Sequence, residues 1–133
     1  MTIVVAYADT PPGHAAVTAA VSESAREQET VVLVPAVRGE AEPELDEVAS
    51  RWPQISGRVE VERGDLGDPS DNVVQVAQRR DARLVVLGLR ARTPVGKLVF
   101  GSTAQRILLD ATCPVLAVKP RVDASAPVGG TAS

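Results

Sequence analysis

The sequence predicts an α/β fold, an open sheet of five parallel strands with helices on both faces. Three observations lead there. Apolar runs recur at Ile3 to Tyr7, Thr30 to Val37, Leu84 to Leu87 and Val115 to Val118, the mark of strands buried on both faces. Segments with helical spacing of apolar residues separate them, so successive strands are joined by crossovers and run parallel. The composition is rich in Val and Ala but holds one Phe, one Tyr and one Trp. Such a core must be built by close packing of small and branched side chains, which suits a parallel sheet under helices.

Ile3 to Tyr7 is apolar and largely β-branched and reads as a central strand. The turn Ala8-Asp9-Thr10-Pro11-Pro12-Gly13 breaks it, and a helix is expected from His14 to Arg26 with Val17, Ala20, Val21 and Ser24 on one face. Thr30 to Val37 forms the second strand. From Arg38 to Gly57 the pattern weakens: a loop is followed by a short helix from Glu44 to Trp52, with Leu45, Val48 and Trp52 sharing a face. Val59 and Val61 alternate with charged residues, as in an edge strand with one solvated side. Asp68-Pro69-Ser70-Asp71 supplies an N-cap, a proline at the first helical position and an acid at the third, opening a helix through Val73, Val74, Val76 and Ala77 to Arg80. The fourth strand ends at Gly88. Residues 89–100 show no clear period, and Ser102 with Gln105 reads as a capping box opening the last helix. Cys113-Pro114 ends that helix before the final strand, Val115 to Val118. Past Pro120 the chain turns to Ala, Ser, Gly, Pro and Thr, so residues 1–120 are expected to form one domain and residues 121–133 a disordered tail.

The balance of 14 basic and 17 acidic residues, without a basic stripe, speaks against nucleic acid as a partner. A solitary Cys113 excludes an internal disulfide, and no long apolar run suggests a membrane span; a cytoplasmic protein is expected. Catalytic signatures fail on inspection. Gly96-Lys97 lacks the glycine and the Ser or Thr of a P-loop, and no GxGxxG is present. His14, the one histidine, reads as a solvated residue in a first helical turn, and Cys113 as a small packed residue. No enzyme is predicted.

Taken singly, Gly88 is the exit of a strand and Ser102 a helix cap. Together they bracket a loop unusually long for a compact domain, holding Arg90, Arg92 and Lys97 and ending on a helix N-terminus, whose free N–H groups and partial positive charge suit phosphate.

The spacing Gly88-x2-Ala91-x9-Gly101-Ser102, followed by a helix and CPVLAV, resembles the universal stress protein signature G-x2-G-x9-G-[ST], with Ala91 at the second glycine. VVAYADTPPGHAAV and GDPSDNVVQVAQRRDARLVVLG resemble family segments in the same order, so the likeness reaches Lys119. It implies an adenine nucleotide alpha hydrolase-like sheet of order 3-2-1-4-5. It also implies ATP, with Mg2+, or a related adenine nucleotide as a regulatory ligand without turnover, a homodimer through the last strand and an unidentified protein partner. In ATP-binding members an aspartate after the first strand and a backbone group at the end of the second hold the adenosine, while the glycine loop and its Ser or Thr hold the phosphates. The matching positions are Ala8 with Asp9 beside it, Ala36 and Val37, then Gly88, Ala91, Gly101 and Ser102. Ala8 lacks the carboxylate unless Asp9 replaces it. The alternative reading is a nucleotide-free interaction module of the same fold.

Overall fold

The computed structural model describes residues 1–92 and 98–119; the expected tail at 121–133 and Lys97 of the loop lie outside the described residues. In chain order the elements are β1 (Thr2–Tyr7), α1 (Pro11–Ser24), β2 (Thr30–Pro35), α2 (Leu45–Arg51), a 3-10 turn (Pro53–Ile55), β3 (Val59–Val61), α3 (Pro69–Arg79), β4 (Leu84–Gly88), β5 (Ala91–Arg92), β6 (Leu98–Val99), α4 (Ser102–Asp110) and β7 (Val115–Val118). Five of the strands form one parallel sheet in the order β3-β2-β1-β4-β7, which is 3-2-1-4-5 when its strands are numbered among themselves. The weak third strand and the last strand are its edges, and the chain reverses direction across the sheet between β1 and β4. Among the described residues no helix is long and apolar enough to cross a membrane.

Alternation along β1 builds two cores. Ile3, Val5 and Tyr7 face α1 and pack with Val17, Ala20, Val21, Trp52 and Ile55, whereas Val4 and Ala6 face Val73, Val76 and Ala77 of α3 and Ile107 of α4. Each fully buried Val or Ile contributes roughly 1.5–3 kcal/mol relative to exposure.

Several boundaries differ from the sequence expectation. Helix α1 begins at Pro11 because Thr10 is the N-cap, its hydroxyl accepting from the Gly13 N–H at 3.2 Å; Pro11 and Pro12 occupy first-turn positions, where a missing N–H costs nothing. β2 stops at Pro35, leaving Ala36 and Val37 beyond its end, with the Ala36 N–H donating to the Tyr7 carbonyl at 2.8 Å. Leu45 stays exposed in the first turn of α2, while Val48 and Trp52 are buried. Asp68 caps α3 as expected, accepting from Ser70 N at 2.9 Å and Asp71 N at 3.3 Å. The expected capping box at Ser102 does not form: the Gly101 carbonyl already accepts the first intrahelical bond, from Gln105 N at 3.0 Å, so Gly101 is the N-cap and Ser102 the first helical residue. The loop after β4 folds into a small antiparallel ribbon, Ala91 opposite Val99 and Arg92 opposite Leu98, too short to leave a period in the sequence.

At the opposite end of the sheet Glu29, its side chain 1% exposed, takes both Nε and an Nη of Arg83 at 2.7 Å. These bonds hold its carboxyl below the ordinary glutamate range. A depressed folded-state value means stability that is present at neutral pH and lost as pH falls below about 4.3. Glu29→Gln should therefore cost about 2 kcal/mol at pH 7, since one face of the Arg83 guanidinium stays wet, and the cost should shrink toward pH 3 in urea melts. An equal cost at both pH values would remove the ion pair from the account.

Candidate functional site

The carboxyl ends of β1 and β4 open on a cavity of about 530 Å³ at the point where the sheet reverses. Ligands of open α/β sheets bind in such crevices. Ala8, Thr10, Pro12 and Gly13 line it from the β1–α1 connection, Ala36, Val37 and Arg38 from the end of β2, and Asp68 and Pro69 from the start of α3. Gly88 and Arg90 close it from β4, and Gly101, Ser102, Thr103 and Ala104 from the start of α4.

Two glycines bring the walls this close together. A Cβ at Gly88 would lie 2.1 Å from the Pro12 carbonyl oxygen, and one at Gly13 would lie 1.9 Å from that of Ala8. Both contacts are with backbone, which cannot rotate aside as a side chain does. Gly101 differs: its φ of −72° is open to any residue, and a Cβ there would meet only the flexible Arg90 side chain, at 3.2 Å.

Three helices present their N-termini to the cavity, and two are already satisfied. Thr10 caps α1 and Asp68 caps α3. Helix α4 has no side-chain cap, so among the described residues the N–H groups of Ser102, Thr103 and Ala104 have no partner, and the Arg90 side chain lies beside them. That end of the cavity is electropositive. The end near Ala6, Ala8, Ala36 and Val37 is apolar.

The one carboxylate lining the cavity among the described residues is Asp68. Its Oδ1 accepts from the Ser70 hydroxyl and the two capping N–H groups, and its Oδ2 faces Arg38 at 3.7 Å and Arg106 at 3.5 Å. Bonding by Ser70 and then by the helix backbone keeps this carboxyl below the ordinary aspartate range.

Of the residues singled out in the sequence, Ala8, Ala36, Val37, Gly88, Gly101 and Ser102 come together around the cavity. Ala91 belongs to the ribbon, paired with Val99. Asp9 faces away: its carboxylate accepts from His14 Nε2 at 2.8 Å with 70% of the side chain exposed, and its N–H donates to Glu40 Oε1 at 2.7 Å. The chain bends at Asp9, past the end of β1, and the His14 bond holds its carboxylate there. His14 is not the solvated residue expected. It is partly buried, bonded to Asp9 and Arg51, with its ring 6.5 Å from that of Tyr7 and 6.0 Å from that of Trp52. Arg38 and Asp68 were missed as cavity residues; the first polar residue beyond an apolar strand was the available signal for Arg38, whereas Asp68 carried the mark of a cap alone.

The universal stress protein family model matches residues 1–119. The chain belongs to the universal stress protein family. A universal stress protein of Mycolicibacterium smegmatis is 35% identical over 126 residues, spanning 89% of this chain and 97% of the relative. The solved universal stress protein of Archaeoglobus fulgidus is 26% identical with a TM-score of 0.64, over 89% of this chain and 97% of that one. Another structure from that organism, a universal stress protein in complex with dAMP, is 21% identical with a TM-score of 0.58, over 89% and 96% of the two chains. The dAMP complex shares the fold, and the sheet order described above is that of a universal stress protein.

Proposed function

We propose that this universal stress protein binds an adenine nucleotide in the cavity at the carboxyl ends of β1 and β4, as a regulatory ligand without turnover, and acts as a cytoplasmic homodimer together with a further protein partner. The observation that carries the reading is the uncapped N-terminus of α4 opening into a cavity whose other end is apolar. A phosphate at Ser102, Thr103 and Ala104 would satisfy N–H groups that nothing among the described residues caps, with Arg90 adding charge. The purine would lie against Ala6, Ala8, Ala36 and Val37. The Archaeoglobus relative solved with dAMP supports a monophosphate of this kind. ATP fits the same frame only if its metal travels with it. Among the described residues the one lining carboxylate, Asp68, is committed to its helix cap and to Arg38 and Arg106, so Mg2+ would depend on the nucleotide's own phosphates and on water.

Calorimetric titration with AMP and ATP, beside mass spectrometry of the denatured purified protein, tests the reading; binding of neither nucleotide rejects it. Ser102→Asp sharpens the test. Aspartate in the first turn of a helix is stabilising by about 0.3–1 kcal/mol, yet it sets a negative charge where the phosphate would sit. The variant should fold at least as well as the parent and lose nucleotide binding by tenfold or more; undiminished binding would move the phosphate elsewhere.

The dimer is expected at β7. Val85 N and Leu89 N donate to the carbonyls of Pro114 and Val118, so alternation turns the backbone groups of Val115 and Ala117 toward the open edge. Ala117→Pro removes one outward N–H and leaves the pairing with β4 intact, a placement edge strands tolerate. Sedimentation should then show folded monomers. A dimer that survives the change would lie on another surface.

A further inference from the structure

A second cavity, of about 720 Å³, lies on the outer side of α1 and adjoins the proposed nucleotide pocket at Pro12 and Arg90. Its floor is apolar, formed by Ala15 and Ala19 of α1 and Val118 of β7. The charged side chains that line it are Arg51, Arg90 and Lys119, with His14 beside them, and no carboxylate of the described residues is among the lining. In a chain of net charge −3 this clustering of cations over an apolar floor is a local inversion. The Arg51 guanidinium is held in place: it lies 5.1 Å from the centre of the Trp52 ring and donates to His14 Nδ1 at 3.3 Å. Since Asp9 accepts from the other nitrogen of that ring, His14 is oriented to receive Arg51. Trp52 is itself fixed by its Nε1–H, which donates to the Thr18 hydroxyl at 3.0 Å.

We propose that this groove is a second ligand site, taking a small amphipathic carboxylate whose apolar body covers Ala15, Ala19 and Val118 and whose anionic head meets Arg51 or Lys119, with Arg90 on the shared rim. The volume lies within the range of small-molecule sites, and the charge of the rim selects the sign of the ligand. Arg90 and Pro12 border both cavities, so a ligand in the groove draws on a guanidinium that a nucleotide phosphate would also use.

Trp52 is the sole tryptophan, which gives a contact-range readout. 4-Iodobenzoate is an aryl carboxylate whose iodine quenches indole fluorescence on contact. Titrated into the full-length protein without nucleotide, it should quench saturably with half-saturation at about 1 mM or tighter. Neutral 4-iodobenzamide should bind about tenfold or more weakly, having lost the charge-assisted bond. Ala15→Glu places a tethered carboxylate on the floor to claim the cations and should weaken iodobenzoate by a similar factor, with its thermal melt within a few degrees of the parent. Equal quenching by the amide, or an Ala15→Glu titration matching the parent, overturns the proposal. Quenching that fades as the protein is concentrated would show a second copy of the chain covering the groove and would overturn it too. None of these arms depends on the nucleotide reading. One further arm rests on that reading: where AMP binds, saturating AMP should weaken iodobenzoate severalfold, and full independence of the two would overturn the sharing of Arg90.

Discussion

Gly88→Ala is expected to cost about 3 kcal/mol of stability and to lower the melting temperature by roughly 10 °C. The added methyl would stand 2.1 Å from the Pro12 carbonyl oxygen, about half the distance that two such atoms accept, and the obstacle is helix backbone. Relief requires α1 to retreat from the end of β4. That helix packs across β1, β4 and β7 through Ala16, Val17, Ala20 and Val21, so the retreat loosens one whole face of the sheet. The same shift opens the floor of the cavity, and nucleotide binding should weaken with stability. Gly101→Ala supplies the contrast: its backbone is unstrained and its neighbour is a flexible arginine, so its stability should change by no more than about 0.5 kcal/mol. Circular dichroism melts of the two variants decide the matter. Similar melting temperatures for both would mean that the N-terminal turn of α1 yields without resistance.

Ala8→Asp should tighten AMP binding by one to two orders of magnitude. A carboxylate that accepts hydrogen bonds from the adenosine is worth about 1.5–3 kcal/mol, and residue 8 lines the apolar end of the cavity, where that group would be met. Asp9 does not stand in for it. Its carboxylate is bonded to His14 on the far side of the chain, and its N–H is held by Glu40, so turning it inward would break both contacts. Asp9→Ala should accordingly leave AMP affinity unchanged within about twofold. Calorimetry on the two variants separates the cases. If Asp9→Ala is the damaging change and Ala8→Asp has no effect, the adenosine lies on the His14 side of the strand.

The elements of the sheet were legible because their signals are local. Val31 to Val34 are buried whichever strands flank them, and Asp68 caps α3 whatever lies opposite. Errors fell where two local signals overlapped. Pro11 and Pro12 look like a turn and are also the residues that best open a helix, and Ser102 looks like a cap although the glycine before it already serves. The ribbon after β4 pairs two residues on each side, too few to alternate visibly.

By itself the sequence determined the succession of strands and helices, the edge character of β3 and the glycine spacing that marks the family, since each depends on residues within a turn or two of one another. Tertiary structure alone decided the rest. The Asp9 N–H is held by Glu40, 31 residues away; His14 is partly covered by Arg51, 37 residues away; and Arg38 reaches the cavity beside an aspartate that caps α3. Gly88 is required by the carbonyl of Pro12, which only the crossing of α1 over β4 brings near. Such contacts join segments whose own propensities are satisfied with or without them, and so the local sequence does not say which partner each residue will meet.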